Sequence, residues 1–186
     1  MNRFFHSLIK KRDQYVFYLD HPSAIVTITP KTHIVITDVT RNNVDQVIDF
    51  REEQIKDTFN KFLDEQQYGI YAYLDSQVVG HAWAKICKED HCKVNGYLEI
   101  QFAEALIHFC KVKVEQRGQN IYPMMLAALC GRLFDRANVR RILIDTEIDN
   151  IPSQRGIIKA GFKPLGKGTY LQIYKHLVYE KFITQD

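Results

Sequence analysis

Residues 102–123 read FAEALIHFCKVKVEQRGQNIYP. From Ala105 to Val114 the run has the character of a strand, Glu115-Gln116 interrupts it, and Arg117-Gly118-Gln119-Asn120-Ile121 leads into MMLAALCGRLFDRA, whose apolar residues recur at helical spacing. A strand, a short turn with glycine and a helix start leave several backbone N–H groups unpaired around one point. Such a point attracts phosphate. Pro123 suits the first helical turn, where its missing N–H would have no partner anyway.

A second segment sharpens the reading. Asn150-Ile-Pro-Ser153-Gln-Arg-Gly-Ile-Ile-Lys159-Ala-Gly161-Phe162 follows another apolar strand, Ile142-Leu143-Ile144. Together the two segments resemble the GNAT superfamily of acyl-CoA-dependent N-acyltransferases. The first matches that family's pyrophosphate loop, Q/R-x-x-G-x-G/A after a V-x-V strand, and the second its N-x-x-S/A…K-x-G-F helix. The likeness covers roughly residues 33–176 in element order. Asn120 stands where the family carries Gly; Asn is the side chain that most readily enters the left-handed region. Tyr122 stands where the family has Gly or Ala, and Ile157 where it often has a general-acid tyrosine, leaving Tyr170 or Tyr174 as other proton donors to the leaving thiolate.

The resemblance implies a site. Val112, Lys113 and Val114 match the strand positions whose backbone pairs with pantetheine, and a backbone N–H at a bulge in that strand would polarise the thioester carbonyl. The amides of Gly118, Gln119, Asn120, Ile121 and Tyr122 would hold the diphosphate, with Arg117 adding charge, while Asn150 and Ser153 line the far wall. Glu104 lies 13 residues before Arg117, within a local FAE, as the catalytic glutamate does in the histone-acetyltransferase branch. It is the first candidate base for an amine whose pKa is about 10.4 in solution. His108 shares its face, four residues on, and is the reserve.

Composition sets the frame. At 186 residues and 46% hydrophobic, the chain suits one folded domain. Its 25 basic and 22 acidic residues are interspersed, without the basic stripe of a nucleic-acid binder. The four cysteines, Cys87, Cys92, Cys110 and Cys130, read as free thiols in a reducing compartment, and no second ligand pair joins Cys87, His91 and Cys92 at metal spacing. No metal, no membrane span and no signal peptide are expected, so the cytoplasm is the expected location.

Taken in order, residues 1–13 read as an amphipathic helix with Phe4, Phe5, Leu8 and Ile9 on one side. Tyr15–Leu19 and Ala24–Thr29 read as two strands, completing an extension over 1–32 packed on a domain spanning 33–186. His33–Val39 reads as a strand and Val44 to about Gln67 as one long or two broken helices. Gly69–Leu74 and Val78–Ile86 form a hairpin, with Trp83 as core or cleft wall. The 89–95 stretch reads as a loop and Tyr97–Gln101 as a strand start. Pro152–Ala160 is helical, stopped by Gly161. Phe162–Leu165 and Tyr170–Tyr174 close the chain as a hairpin turning at Gly166-Lys167-Gly168. The expected class is α/β (α+β): one GNAT-like domain with a mixed central sheet flanked by helices.

The implied activity is acetyl transfer from acetyl-CoA to a primary amine of a small acceptor. The Ile121-Tyr122-Pro123 loop and Val79-Gly80-His81-Ala82-Trp83 look like branches of amino-sugar metabolism, so an amino sugar, free or nucleotide-linked, is the expected acceptor. Protein or peptide acetylation and non-catalytic acyl-CoA binding are the alternatives, and a homodimer stays open.

Overall fold

The computed structural model describes residues 9–95, 97–173 and 176–184. Its elements are β1 (Ile9–Leu19), β2 (Val35–Asp38), α1 (Gln54–Asp64), β3 (Tyr68–Leu74), β4 (Gln77–Ile86), β5 (His91–Asn95), β6 (Leu98–Gln101), β7 (Glu104–Val112), α2 (Ile121–Ala137), β8 (Arg141–Glu147), α3 (Ile151–Lys159), β9 (Lys163–Ile173) and β10 (His176–Thr184). An eight-stranded sheet runs β10-β9-β1-β8-β7-β4-β3-β2, and β5 and β6 form a second, two-stranded sheet. The β7–β8 pair is parallel and the others are antiparallel, giving the mixed sheet expected.

Strand alternation sorts β7 between two layers. Ala105 and Ile107 join the main core with Met125, Leu126, Leu129 and Leu133 of α2 and Ile157 of α3. Leu106 points the other way, into a cluster with Leu98 and Ile100 of the β5–β6 hairpin, Val16 and Leu143. Farther along that second face, Phe59 of α1 packs on Tyr71 and Trp83, its ring 4.8 Å from the indole. Trp83 is therefore core.

Four local expectations are corrected. Residues 9–13 are strand, not the end of a helix; β1 pairs with β8 on one side and β9 on the other, so it lies inside the sheet and not on its surface. Residues 1–8, including Phe4, Phe5 and Leu8, lie outside the described residues. Ala24 ends a short 3-10 turn, and no strand forms over 24–29. The 89–95 stretch includes β5, because its partner β6 supplies a ladder that sequence alone does not advertise. Gly166-Lys167-Gly168 is strand interior: a Cβ at Gly166 would sit 2.3 Å from the Ile183 carbonyl oxygen and one at Gly168 2.1 Å from the Tyr97 ring. These glycines serve close approach, not a turn.

The cysteines divide. Cys87, at the end of β4, and Cys92, in β5, form a disulfide, while Cys110 and Cys130 are free thiols. Free thiols were expected at all four positions; the turn between β4 and β5 brings two of them together.

Candidate active site

β7 and β8 pair only from Glu104 opposite Arg141 to Ile107 opposite Ile144. Beyond that rung each strand stays with its outer neighbour: Val112 pairs with Gly80 of β4, and Asp145, Thr146 and Glu147 pair with β1. A gap opens between them. Its cause is a bulge in β7. Trp83 faces His108 and His81 faces Lys111, so Ala82 alone opposes Phe109 and Cys110; Phe109 takes a left-handed φ of 51°. A bulge bends and twists the strand that carries it.

Past the bulge the backbone is exposed on one side. Lys113 N–H donates to the Val79 carbonyl at 2.8 Å, so the alternating ladder turns the N–H and C=O of Val112 toward the gap. Of the three positions expected to meet pantetheine, Val112 fits; the amide of Lys113 is committed to β4, and Val114 begins a 3-10 turn.

The gap opens into a cleft of about 700 Å³ between β7, α2 and α3. Arg117, Gly118, Asn120, Ile121, Tyr122, Asn150 and Ser153 all line it; Gln119 does not. Gly118 has φ 76° and Asn120 φ 64°, the left-handed pair that turns the chain into α2. No side chain caps α2, and the amides of Ile121 and Tyr122 meet no acceptor among the described residues. The Asn120 side-chain Oδ1 instead accepts from Lys159 Nζ at 2.8 Å. Lys111, Arg117, Arg155 and Lys159 contribute four positive charges to the lining, and no acidic residue lies among it. Uncapped amides and a one-signed wall fit a phosphorylated ligand.

The Tyr122 ring leaves those amides accessible by packing onto α3, where a Cβ on Gly156 would sit 2.5 Å from it. Its hydroxyl lies 3.1 Å from Ser153 Oγ, and Asn150 Oδ1 accepts from Ser153 N–H, capping α3. Burial, above all, raises the Tyr122 phenol well beyond its ordinary range, so it stays protonated. Arg155, Gly156 and Lys111 were not singled out from sequence; the available signal was a glycine in a helix interior, which signals close approach.

The two candidate bases fare differently. Glu104 is 3% exposed, its Oε1 paired with Arg141 at 2.8 Å and its Oε2 accepting from Gln101 N–H at 3.0 Å. It sits on the first paired rung, at the end of β7 away from the cleft, so the structure does not bring it to the gap. His108 is the first β7 residue past the last rung. Gln67 donates its Nε2 to Glu65 at 2.7 Å, so its Oε1 accepts from His108 Nε2, also at 2.7 Å, and leaves the lone pair on Nδ1. Burial, then the charge of Lys85, push His108 down to about 4, so the ring is neutral at pH 7. Ile157 is fully buried, Tyr170 stacks on Tyr97, and Tyr174 lies outside the described residues.

Splayed strands, a bulge and a basic cleft at a helix start define a fold with a site suited to a phosphorylated ligand. The profile of the acetyltransferase (GNAT) family matches residues 36–162, and the chain belongs to that family. Among solved structures, the chain is similar to a GNAT-family acetyltransferase from Colwellia psychrerythraea, with 13% identity, a TM-score of 0.63, and coverage of 89% of this chain and 56% of that one. A functionally unknown conserved protein from Staphylococcus epidermidis has 15% identity, a TM-score of 0.60, and coverage of 89% and 63%. The chain thus spans about three fifths of the length of these two. An aminoglycoside N-acetyltransferase, AAC(6')-Iy, in complex with CoA has 21% identity, a TM-score of 0.54, and coverage of 69% and 91%. These likenesses show the fold. No curated protein matches the sequence significantly.

Proposed function

We propose that the chain is an enzyme that transfers an acetyl group from acetyl-CoA to a primary amine of a small acceptor, an amino sugar in free or nucleotide-linked form. The observation that carries the reading is the gap between β7 and β8, which opens past Ile107 and Ile144 into a cleft walled by basic residues. Acetyl-CoA supplies an activated thioester; this chain's residues bind and orient it. The backbone of Val112 holds the pantetheine arm as a neighbouring strand would. The amides from Gly118 to Tyr122, with Arg117 and Lys159, hold the diphosphate. Amides at the Phe109–Cys110 bulge stabilise the oxyanion.

Four charges on the cleft and none of opposite sign support a polyanionic carrier over a neutral one. The peptide alternative rested on the spacing of Glu104, and its ion pair with Arg141 withdraws that support. No described helix is long and apolar enough to cross a membrane. Incubation with acetyl-CoA and a panel of amino sugars, polyamines and peptides, following free thiol, tests the reading. Thiol release with an amino sugar is expected. Release with peptides alone overturns the acceptor, and absence of coenzyme A binding by calorimetry overturns the whole.

A further inference from the structure

Phe109, in the β7 bulge, holds a conformation that a bulky side chain rarely adopts. Its φ of 51° lies in the left-handed region, where Cβ crowds the carbonyl oxygen, so the surrounding contacts must offset what the backbone loses. Those contacts meet on its ring, which is still 38% exposed. The His81 ring stacks on it with centres 5.8 Å apart and planes 23° apart, and Phe62 and Phe59 of α1 meet it edge-on at 5.5 and 6.0 Å. The Arg51 guanidinium stands over it, its central carbon 5.6 Å from the ring centre.

Arg51 also fixes the stacking partner. Its side chain, just before α1, is only 11% exposed, and Nη1 lies 2.7 Å from His81 Nε2. A guanidinium only donates, so Nε2 accepts and the imidazole proton sits on Nδ1. His81 is fully buried; burial first, then the charge of Arg51, push it down to about 3, which keeps the ring neutral at pH 7. Nδ1 makes no hydrogen bond among the described residues, so the Arg51 contact is what orients the imidazole. His81 faces Lys111 on the β4–β7 rung just past the bulge, and Lys111 lines the cleft. On its other side Arg51 Nε lies 3.5 Å from Oε2 of Glu52, a side chain 62% exposed.

Resting on the acetyltransferase reading, we propose that Arg51 is a positioning residue: through His81 and the Phe109 ring it locks the β7 bulge in its left-handed form, and so aims the bulge amides at the thioester carbonyl. Without the guanidinium, His81 loses its orientation and Phe109 one face of its support. The backbone at 109 then returns to the extended region that a bulky residue prefers, and β7 straightens. The effect falls on the chemical step, because the carrier is gripped farther along, at Val112 and the loop into α2.

The test couples Arg51 to the backbone at position 109. Arg51→Met keeps the reach of the side chain, removes its charge and donors, and leaves only the exposed Glu52 without its partner. It should lower kcat for thiol release from acetyl-CoA by roughly tenfold, with coenzyme A affinity in calorimetry within about twofold of the parent. Phe109→Ala removes the ring and keeps the left-handed cost; Phe109→Gly removes both and should turn over at least about fivefold faster than Phe109→Ala. In the Phe109→Gly background Arg51→Met should then cost less than about twofold, since both changes act on one element. The crystal structure of Arg51→Met should show Phe109 outside the left-handed region. Equal losses from Arg51→Met in the two backgrounds, a fall in coenzyme A affinity as large as that in kcat, or a left-handed Phe109 retained in the variant overturn the proposal. Should Arg51→Met not fold, Phe109→Ala against Phe109→Gly decides, and equal rates overturn it. A parent chain that binds coenzyme A but releases no thiol with any amine sinks the acetyl-transfer reading instead, and the structure of Arg51→Met then decides whether the guanidinium holds the bulge.

Discussion

Replacing Glu104 distinguishes a structural ion pair from a catalytic base. Its side chain is 4% exposed and that of Arg141 36%, with 2.8 Å between them. Glu104→Gln keeps the shape and loses the charge. A hydrogen bond to a charged group contributes about 1.5–3 kcal/mol, and the half-open Arg141 side lowers the expectation to about 2 kcal/mol. Glu104→Ala also strands the Gln101 amide and leaves a void, for about 4 kcal/mol in all. For a chain of this size those losses lower Tm by about 4–8 °C and 8–16 °C. Replacing Glu104 and Arg141 together with Met should recover much of the loss, because no charge is then left without its partner. Thermal unfolding, with thiol release measured well below Tm, is the assay. The expected result for Glu104→Gln is a lower Tm and kcat within about threefold of the parent, since the side chain lies away from the gap. An unchanged Tm with kcat down about a hundredfold or more would refute the reasoning and return proton removal to Glu104.

Other outcomes follow from the same geometry. Gly156→Ala drives a methyl to within 2.5 Å of the Tyr122 ring, and the displaced ring should weaken coenzyme A binding by about tenfold in calorimetry. Arg117→Ala should weaken it by about fivefold at low salt, with the difference shrinking as salt rises. His108 has a folded-state pKa of about 4 against an ordinary 6.5, so the neutral form is the one the fold stabilises. That contribution is complete above the unfolded pKa and is lost as pH falls from about 6.5 through 4, on the order of 3 kcal/mol. In thermal scans His108→Gln should flatten the stability profile across that window, and an unchanged slope would contradict it. Reducing the Cys87–Cys92 disulfide, which closes a short loop, should lower Tm by an amount equivalent to roughly 2 kcal/mol.

Much of the phosphate-binding end of the site was legible along the chain. Gly118 marked a short turn, Asn120 a left-handed residue and Ile121 onward a helical repeat; each depends on residues within a few positions of one another. The strand order, the bulge and the gap were not legible. They arise because β7 and β8 follow different outer neighbours, and the partner of β8 is β1, more than a hundred residues earlier. The same distance hid the pairing of Glu104 with Arg141, of Asp145 with Tyr97, and of Gly168 with the Tyr97 ring. Local periodicity and turn chemistry therefore specified the strand, the turn and the helix, and the resemblance of two motifs specified the family. Only the folded sheet, by choosing which distant side chains share a face, determined that Glu104 is locked in an ion pair with Arg141.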